Sequence, residues 1–390
     1  MPSFPTAPNF VPRKSIKNLK MKKLLILLFA GLYFTACTDT DDDGGTQEEP
    51  IANCDVIEVS GTINEPTVWE EGFVYIIDGS DLSVRSVLTI EPGAIIKIRN
   101  ASISIYEEGK IIAEGTPDKR IVFTSLSDDR YCGDTNGDGN ATQAEKGDWI
   151  DLDLHGTIGS VFKYVDIFYA GQPNGGNSQA VVIDWAQSVA FTFDNCRIAH
   201  TYYNSGSSSY AFHGSSDMKD ASVSKFTNNA LYDNGRPIYF NTFYQLHPSN
   251  VFHNPEDPTM TNSHNGIFLS IWGSEGNNGQ SVNWDNTEVP YVSNSPSVTQ
   301  VHSSATINIK PGVIVKFINS GSGIQSYNGS VNLDPGAILT SYKDDAHGGD
   351  TNGDGNTTTP ATGDWKGFRV TDGGTNTYWQ QGPNILYAAN

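Results

Sequence analysis

Residues 90–98 read Ile90-Glu91-Pro92-Gly93-Ala94-Ile95-Ile96-Lys97-Ile98, and residues 309–317 repeat this pattern as Ile309-Lys310-Pro311-Gly312-Val313-Ile314-Val315-Lys316-Phe317. A second block, Gly133-Asp134-Thr135-Asn136-Gly137-Asp138-Gly139-Asn140, returns unchanged at residues 349–356, and Gly147-Asp148-Trp149 returns at residues 363–365. Eight identical residues in register are not expected by chance. The chain therefore contains an internal repeat, and such a repeat decides the architecture before any single strand or helix is assigned.

Each copy of the repeat is predicted to fold into short β-strands. In the first copy, β-branched runs occupy residues 95–98, 103–105, 111–113 and 121–123. Short strands spaced by about 8–10 residues, with no helical pattern between them, are typical of a sandwich, a propeller or a parallel β-helix. Asn-rich corners such as Asn228-Asn229 favour the last of these, because an amide side chain can hydrogen-bond to the same group in the next coil.

These motifs resemble those of right-handed parallel β-helix proteins of the pectin-lyase-like superfold, and more narrowly those of bacterial surface β-helix proteins. The shared pattern comprises an Ile-x-Pro-Gly strand entry, a Gly-x-x-x-Ala-x-Gly-Thr turn, a Phe-Thr-Ser strand, an Asp-Thr-Asn-Gly-Asp-Gly loop and Gly-Asp-Trp. The second copy lacks the Gly-Thr turn and reads Leu333-Asp334-Pro335-Gly336-Ala337 there. The resemblance implies an all-β, right-handed parallel β-helix, with the first copy and central coils in residues 51–284 and the second copy in residues 285–390.

The N-terminus is predicted to be an export signal. Met21-Lys22-Lys23 precedes an apolar run over residues 24–34, which has the length of a signal-peptide core and is shorter than the roughly 20 residues of a membrane span. Because Cys37 follows Thr35-Ala36, residues 1–36 resemble a bacterial lipoprotein signal, with Met21 as the expected start. That resemblance implies that Cys37 is acylated; a plain secretory signal is the alternative.

Residues 37–50 carry Asp39, Asp41, Asp42, Asp43, Glu48 and Glu49, and a run of this composition is predicted to be a flexible, solvated tether. An acidic stretch after a lipidated Cys resembles the surface-export signal of Bacteroidota lipoproteins, which implies a lipid-anchored protein of the bacterial cell surface or outer membrane. A flexible linker that carries no export signal is the alternative.

The net negative charge of the chain limits the class of partner that it can bind. The whole chain has 24 basic and 44 acidic residues, and residues 1–36 hold six of the basic residues and no acid, so the remaining chain is more acidic still. Such a chain offers little to neutralise phosphates, which excludes a nucleic-acid partner. We expect an extracellular polysaccharide or a surface protein instead.

Three cysteines remain beside Cys37. One pair, for example Cys54 with Cys132, could form a disulfide, but the sequence does not establish connectivity. Cys196 lies in a strand-like stretch, residues 191–198, and is interpreted as a small buried hydrophobe.

The repeated acidic loop has the spacing of an EF-hand-like calcium loop, with oxygen ligands at positions 1, 3, 5 and 7 and Gly at position 6. In the first loop Thr142 falls at position 9 and Glu145 at position 12; in the second, Ala361 replaces the Glu, and Asp364 is the candidate to close the shell, as Asp148 is in the first. A turn closed by hydrogen bonds alone is the alternative. The sequence thus predicts structural calcium at Asp134, Asn136, Asp138, Asn140, Glu145, Asp350, Asn352, Asp354 and Asn356.

Catalytic candidates are few. If residues 149–155 alternate at a period of two, Trp149, Asp151, Asp153 and His155 face solvent together and could carry out acid/base chemistry on a sugar. The matching strand of the second copy, residues 365–370, retains neither acid. We therefore predict a structural, adhesive or glycan-binding protein. The alternative is a polysaccharide lyase or glycoside hydrolase that uses a central aromatic groove built from Tyr202, Tyr203, Tyr210, Phe212, Tyr239, Phe240, Phe243, Tyr244 and Trp272.

The second copy stops early. Residues 385–389 match residues 167–171, after which the first copy continues for many more coils. Since a solenoid needs a cap over its last coil, we expect either a longer reading frame or a final coil that pairs with a partner.

Overall fold

The computed structural model describes residues 54–106, 108–173, 178–183, 189–204, 209–214, 221–270, 279–302, 304–372 and 376–389. The predicted signal (residues 1–36), the tether (residues 37–50) and the lipidation site Cys37 lie outside these ranges. Within them the chain forms 31 β-strands and no α-helix, so the all-β prediction is confirmed. A helix long and apolar enough to cross a membrane is likewise absent from the described ranges.

The strands form five sheets. The seven-stranded sheet contains, in spatial order, β1 (Asp55–Glu58), β4 (Phe73–Asp78), β7 (Ile95–Arg99), β10 (Ile121–Ser125), β13 (Val165–Phe168), β16 (Arg197–Ala199) and β19 (Ala230–Tyr232). The 11-stranded sheet contains β2 (Gly61–Ile63), β5 (Leu82–Val84), β8 (Ile103–Ile105), β11 (Leu152–Leu154), β14 (Ser178–Ile183), β17 (Ser209–His213), β20 (Ile238–Asn241), β21 (Ile267–Ser270), β23 (Tyr291–Ser293), β26 (Ile314–Phe317) and β29 (Ile338–Ser341).

Three smaller sheets complete the set. The six-stranded sheet contains β18 (Lys225–Thr227), β15 (Ala190–Asp194), β12 (Ile158–Lys163), β9 (Lys110–Glu114), β6 (Val87–Ile90) and β3 (Thr67–Trp69). The three-stranded sheet contains β22 (Ser281–Trp284), β25 (Thr306–Ile309) and β28 (Ser330–Leu333). The four-stranded sheet contains β24 (Val298–Val301), β27 (Gly323–Ser326), β30 (Phe368–Asp372) and β31 (Asn376–Gln380), and β30 with β31 is the only antiparallel pair among these described strands.

From β1 to β20 the chain visits three sheets in turn, so each strand pairs in parallel with the strand three positions later. This pairing places like residues above one another: Tyr75, Ile96, Phe123, Ile167, Ile198 and Leu231 are in register across the seven-stranded sheet and are all buried. Each such apolar side chain contributes about 1.5–3 kcal/mol relative to an exposed one. The fold is therefore an all-β stack of parallel sheets around one long apolar core, compatible with a parallel β-helix.

Stacked amides occupy the predicted Asn-rich corners. Asn228 adopts a positive φ of 55°, which Asn tolerates better than most residues, and turns the chain between two strands. The neighbouring Asn229 is fully buried and donates from Nδ2 to Oδ1 of Asn250 at 3.1 Å. The prediction of amide stacking between successive coils is thus confirmed at this corner.

The two copies of the repeat do not lie in the same sheet. In the first copy the strands around the motif, β7 and β10, belong to the seven-stranded sheet, whereas their counterparts β26 and β29 belong to the 11-stranded sheet. The second copy therefore begins on a different sheet from the first.

The cysteines are placed clearly. Cys54 and Cys132 form a disulfide with a Cα–Cα distance of 5.6 Å, which ties the residue before β1 to the insertion that follows β10. Cys196 is a buried free thiol, as predicted, and burial raises its pKa to about 12. Burial therefore makes Cys196 unreactive at neutral pH.

Candidate metal centres

Each acidic loop is seated on a lysine that points out of a sheet and is completely buried by the loop. Lys97 on β7 donates from Nζ to the carbonyl oxygen of Gly133 and to Oγ1 of Thr135, both at 2.9 Å. Lys316 on β26 donates in the same way to Gly349 at 2.7 Å and to Thr351 at 2.9 Å. An ammonium thus fixes the start of each loop.

Burial lowers the pKa of both lysines, and that of Lys316 falls to about 8. Nearby carboxylates oppose this shift because they favour the charged ammonium. Sequence analysis missed both residues, although a Lys at the same place in two apolar strands was a usable signal.

A buried carboxylate braces each insertion below the acidic loop. Asp128 accepts a hydrogen bond from Oγ1 of Thr124 at 2.6 Å, and Asp344 accepts one from Oγ1 of Thr340 at 2.5 Å. These four side chains are essentially buried, so the two copies share the same internal support.

The first carboxylate of each loop closes the turn. Asp134 accepts hydrogen bonds from the backbone N–H groups of Gly137, Asp138 and Gly139 at 2.7–3.1 Å. In the second loop Asp350 accepts from Asp354 and Gly355 at 3.1 and 2.8 Å. Bonds of this kind occur both in a cation-binding loop and in a turn closed by hydrogen bonds alone.

A third carboxylate joins the two that the spacing indicated. One oxygen each from Asp345, Asp350 and Asp354 lie within 4.8 Å of one another. Asp129 holds the corresponding sequence position in the first copy, but among the described residues only the second copy brings its three carboxylates this close. Oδ1 of both Asp129 and Asp345 is buried without a hydrogen-bond partner in the described structure. Burial raises the pKa of both carboxyls, and the neighbouring loop carboxylates raise it further. The signal that sequence analysis overlooked was the Asp-Asp pair before each loop.

The remaining predicted ligands take different positions. Asn136 donates to Asp138 at 3.0 Å and Asn352 donates to Asp354 at 2.8 Å, so both amides lie beside a loop carboxylate. Asn140 and Asn356 follow the position-6 glycines, where only their backbone carbonyls were predicted to bind. Thr142 donates to Asp138 rather than offering a free hydroxyl.

The residues proposed to close the shell hold the loop ends, and their role as ligands stays a prediction. Oδ2 of Asp148 accepts hydrogen bonds from the Glu145 backbone N–H at 2.9 Å and from Oγ of Ser125 at 2.5 Å. Oδ2 of Asp364 accepts from Ala361 N–H at 2.9 Å and from Ser341 at 2.8 Å. The Glu145 side chain is exposed, and its role as a ligand stays a prediction.

The donor set suits a hard cation. Each loop presents carboxylate, amide, hydroxyl and backbone oxygens, and neither contains a His or Cys in the repeated block. Oxygen donors of this kind select calcium, magnesium or manganese over zinc and copper. Asp129 and Asp345 each add one buried, unpartnered carboxylate oxygen to this donor set.

The predicted catalytic face forms only in part. Trp149 is completely buried and its indole N–H donates to the Phe168 carbonyl at 2.7 Å, so the expectation that it faces solvent is wrong. The alternation begins only where β11 does, at Leu152, and Trp149 precedes it in a turn. Asp153 and His155 are partly exposed, 2.7 Å apart, and His155 stacks on Tyr106.

Asp151 has an environment of its own. Its carboxyl is half-buried, and desolvation raises its pKa to about 6; the Ser102 hydroxyl lowers it, and the negative charge of Asp81 raises it further. Asp151 therefore differs from Asp153, because desolvation raises the pKa of Asp151 whereas Asp153 is paired with His155.

The predicted central aromatic groove does not form from the residues named for it. Phe212, Phe240 and Phe243 lie in the core, and Tyr210 and Tyr244 are buried as well. Their rings pack edge to face, as Phe212 does on Phe240, because inward positions of a stacked coil meet their counterparts in the next coil. Tyr202, Tyr203 and Tyr239 keep partial exposure, and Trp272 lies outside the described residues.

The chain matches no protein-family model, and it matches no curated protein and no solved structure.

Proposed function

We propose that the chain is a lipid-anchored, calcium-stabilised right-handed parallel β-helix of the bacterial cell surface, with a structural or adhesive role toward glycans or surface proteins. The observation that carries the proposal is the pair of acidic loops, each seated on a buried lysine and each holding an unpartnered carboxylate oxygen. A scaffold of parallel sheets with two such loops suits a durable display surface.

Electrostatics supports calcium most directly in the second loop. There three carboxylates share one small space and repel one another, and one buried ammonium compensates only part of their charge. A divalent cation with six to eight oxygen ligands supplies the rest, and the nearby amides and backbone carbonyls complete its coordination. Asp129, Asp134 and Asp138 would hold it in the first loop, and Asp345, Asp350 and Asp354 in the second.

Thermal unfolding tests the calcium proposal directly. A soluble form of the exported chain, which begins at residue 38 and so lacks the lipidation site Cys37, is melted with a calcium chelator, with excess calcium, and with excess magnesium as the control for charge screening. Calcium should raise the melting temperature by several degrees over the other two conditions, because a ligand that binds only the folded state stabilises it. An unchanged midpoint would refute the calcium proposal.

The anchor is tested separately in the full chain. Replacing Cys37→Ser should move the protein from the membrane fraction to the soluble fraction and abolish incorporation of a labelled fatty acid. Protease accessibility on intact cells then distinguishes the cell surface from the periplasm. Labelling that persists in the Cys37→Ser variant would contradict lipidation at this residue.

The alternative, a polysaccharide lyase or glycoside hydrolase, is favoured by one observation. A carboxyl with its pKa raised to about 6, next to the acidic side chain of Asp81, has the character of a general acid. Sustained turnover of a polysaccharide that is lost in Asp151→Ala and kept in the exposed control Asp55→Ala would establish it. If the chain turns over neither acidic nor neutral polysaccharides, the result favours a binding role.

A further inference from the structure

The three-stranded sheet ends in an open edge at β28. β28 pairs with β25 along Ser330–Leu333, and among the described residues no other strand or isolated bridge pairs with it. The N–H groups of Ser330 and Asp334 donate to carbonyls on the β25 side at 2.8 and 3.0 Å. Because the backbone groups of successive residues in a strand point to opposite sides, those of Val331 and Leu333 point to the open edge. The edge therefore offers both N–H donors and C=O acceptors to a further strand.

The strand that covers this edge in the first copy is paired elsewhere in the second. β9, the counterpart of β28, pairs on its far side with β12, which is the second strand after Trp149. The second strand after the equivalent Trp365 is β31, and it folds back to pair in antiparallel with β30. β28 is thus left open by the pairing of a strand that the chain contains.

The three strands of this sheet repeat one pattern of a hydroxyl residue, a β-branched residue, Asn and a large apolar residue. Their sequences are SVNW in β22, TINI in β25 and SVNL in β28. The Asn side chains lie in register and form a ladder, in which Asn308 donates to Oδ1 of Asn283 at 3.1 Å and Asn332 donates to Oδ1 of Asn308 at 2.8 Å. Asn332 is exposed, and its own Oδ1 accepts no hydrogen bond from the described residues. An Asn from a further strand would continue the ladder.

The far edge of the same sheet is already closed. The Gln245 side chain donates from Nε2 to the carbonyl of Asn283 at 2.9 Å and accepts from the Asn283 N–H at 2.7 Å, so an amide takes the place of a strand beside β22. β25 has a neighbour on both sides. Within the part of the chain that the structure describes, only β22, β25 and β28 carry the pattern. The strand that matches the open edge and has a free edge of its own is therefore β28 of a second copy.

β28 lacks the protection that other strands at sheet ends have. Charged side chains and short length prevent such strands from pairing with another molecule. β1 carries Asp55 and Glu58, β18 begins with Lys225, and β3 is three residues long between Glu65 and Glu70. β28 has four residues and no charge, although the chain has 44 acidic residues. Its edge therefore suits a second uncharged strand better than a charged partner.

We propose that β28 pairs in antiparallel with β28 of a second copy, about a two-fold axis at Asn332. In this register Val331 lies opposite Leu333 of the second copy, and the two residues exchange backbone hydrogen bonds on each side of the axis. Opposite residues of a sheet share a face, so these apolar side chains stay on the core side. Asn332 meets Asn332 of the second copy at the closer, non-hydrogen-bonded position, which joins the two amide ladders. The contact uses the same surface twice, so it closes at two copies.

The pair is expected to be weak and to strengthen with salt. A contact of four residues on each side is small, and interfaces of small area are typical of transient association. Both copies are strongly acidic, so they repel one another at a distance, and salt screens this repulsion. The inference goes beyond the proposed function; where two copies are anchored in one membrane, their high local concentration would favour the pair.

Analytical ultracentrifugation tests the proposal on the soluble form that begins at residue 38, at constant calcium. The protein concentration runs from about 1 μM to about 1 mM, which spans the dissociation constants of weak complexes. We expect a reversible monomer–dimer equilibrium. Asn332→Asp and Asn332→Lys should each weaken it about tenfold or more, because each places two like charges opposite one another at the axis. Mixing these two variants should restore association, because the charges at the axis then attract.

Asn283→Asp and Asn283→Lys are the matched controls, because Asn283 belongs to the same ladder at its closed end, and they should leave association unchanged. Melting curves of all variants separate lost association from lost folding. No dimer in this concentration range, a dimer that the Asn332 variants leave intact, a mixture that does not restore association, equal loss in the Asn283 controls, or association that weakens with salt would each overturn the proposal. The calcium-dependent melting and the Cys37 labelling do not depend on this edge, so failure here is distinguishable from failure of the proposed function.

Discussion

The two acidic loops share their base and differ in what holds them from outside. Both rest on a buried lysine and on a Thr–Asp hydrogen bond. The first insertion is tied covalently by Cys132 to Cys54, whereas Gly348 occupies the equivalent place in the second. The parts that touch the sheet are thus repeated, and the parts that touch neighbouring segments are not.

The second loop replaces the covalent tie with packing. The Tyr342 hydroxyl donates to the Thr351 carbonyl at 2.9 Å, while the first copy has Leu126 at the position of Tyr342. Gly353 adopts a positive φ and leaves no room for a side chain beside Ser263 and His264. One loop is therefore secured by a disulfide and the other by fit, and the two should respond differently to perturbation.

The largest difference is expected on reduction of the disulfide. Cys54→Ser with Cys132→Ser removes a crosslink across 78 residues, which should lower the free energy of unfolding by about 4 kcal/mol through the entropy of the unfolded chain. Chemical denaturation measures this loss, and hydrogen exchange should localise it to the first copy. Cys196→Ser is the control for thiol removal. Equal loss of protection in both copies would contradict the asymmetry.

Removal of one calcium ligand should halve the stabilisation that calcium gives to the folded chain. Asp134→Ala and Asp350→Ala each abolish one proposed site, and a site at a hundredfold excess over its dissociation constant contributes about 2.7 kcal/mol. Calorimetry should count one ion in each variant and two in the parent chain. Asp118→Ala, an exposed acid outside both loops, serves as the control. A parent chain that binds a single ion would restrict calcium to one copy.

One pH effect should have no counterpart in the second copy, because Gly367 stands where the first copy has Asp151. Since the pKa of folded Asp151 is raised to about 6, the unfolded chain loses its proton first, and stability falls as the pH rises from about 4 to about 6. Asp151→Asn should therefore stabilise the protein by about 3 kcal/mol above pH 6 and by little below pH 4. Denaturation across this pH range is the measurement. A gain that is independent of pH would exclude this cause.

The smallest effect is expected from one hydroxyl of the second loop. Tyr342→Phe removes the hydrogen bond to Thr351 and should cost about 1 kcal/mol. It should also weaken calcium binding to the second loop when measured in the Asp134→Ala background. Tyr327→Phe controls for loss of a tyrosine hydroxyl. An unchanged denaturation midpoint would show that packing alone holds this loop.

Much of the fold was predictable because the repeat and the β-branched runs are local signals. The predicted runs 95–98, 103–105, 111–113 and 121–123 correspond to β7, β8, β9 and β10, with ends that differ by at most two residues. Buried positions on the outer face were harder. Ile76 and Lys97 face away from the core yet are buried by the insertion that follows β10. The periodicity of a strand does not indicate burial by a segment that lies 30 or more residues away in the sequence.

The candidate site was likewise predictable from the sequence only in part. Loop spacing predicted Asp134, Asp138, Asp350 and Asp354 as ligands because calcium loops are contiguous in sequence. Asp129 and Asp345 lie in the turn before each loop, and only the fold brings them beside it. Trp149 departs from the assumed alternation because it lies in a bend rather than a strand. Tertiary contacts, not local propensity, decide such positions.

The placement of the two copies on different sheets has a consequence for how such a chain can diversify. A repeated segment that returned to its original sheet would meet a copy of its old surroundings. Here the second copy lies on the 11-stranded sheet, so residues 133–140 and 349–356 meet different neighbours although the two blocks are identical in sequence. Cys132 beside the first block and Gly348 beside the second are differences that separate surroundings permit. A repeat placed on a different sheet thus lets selection act on each loop separately.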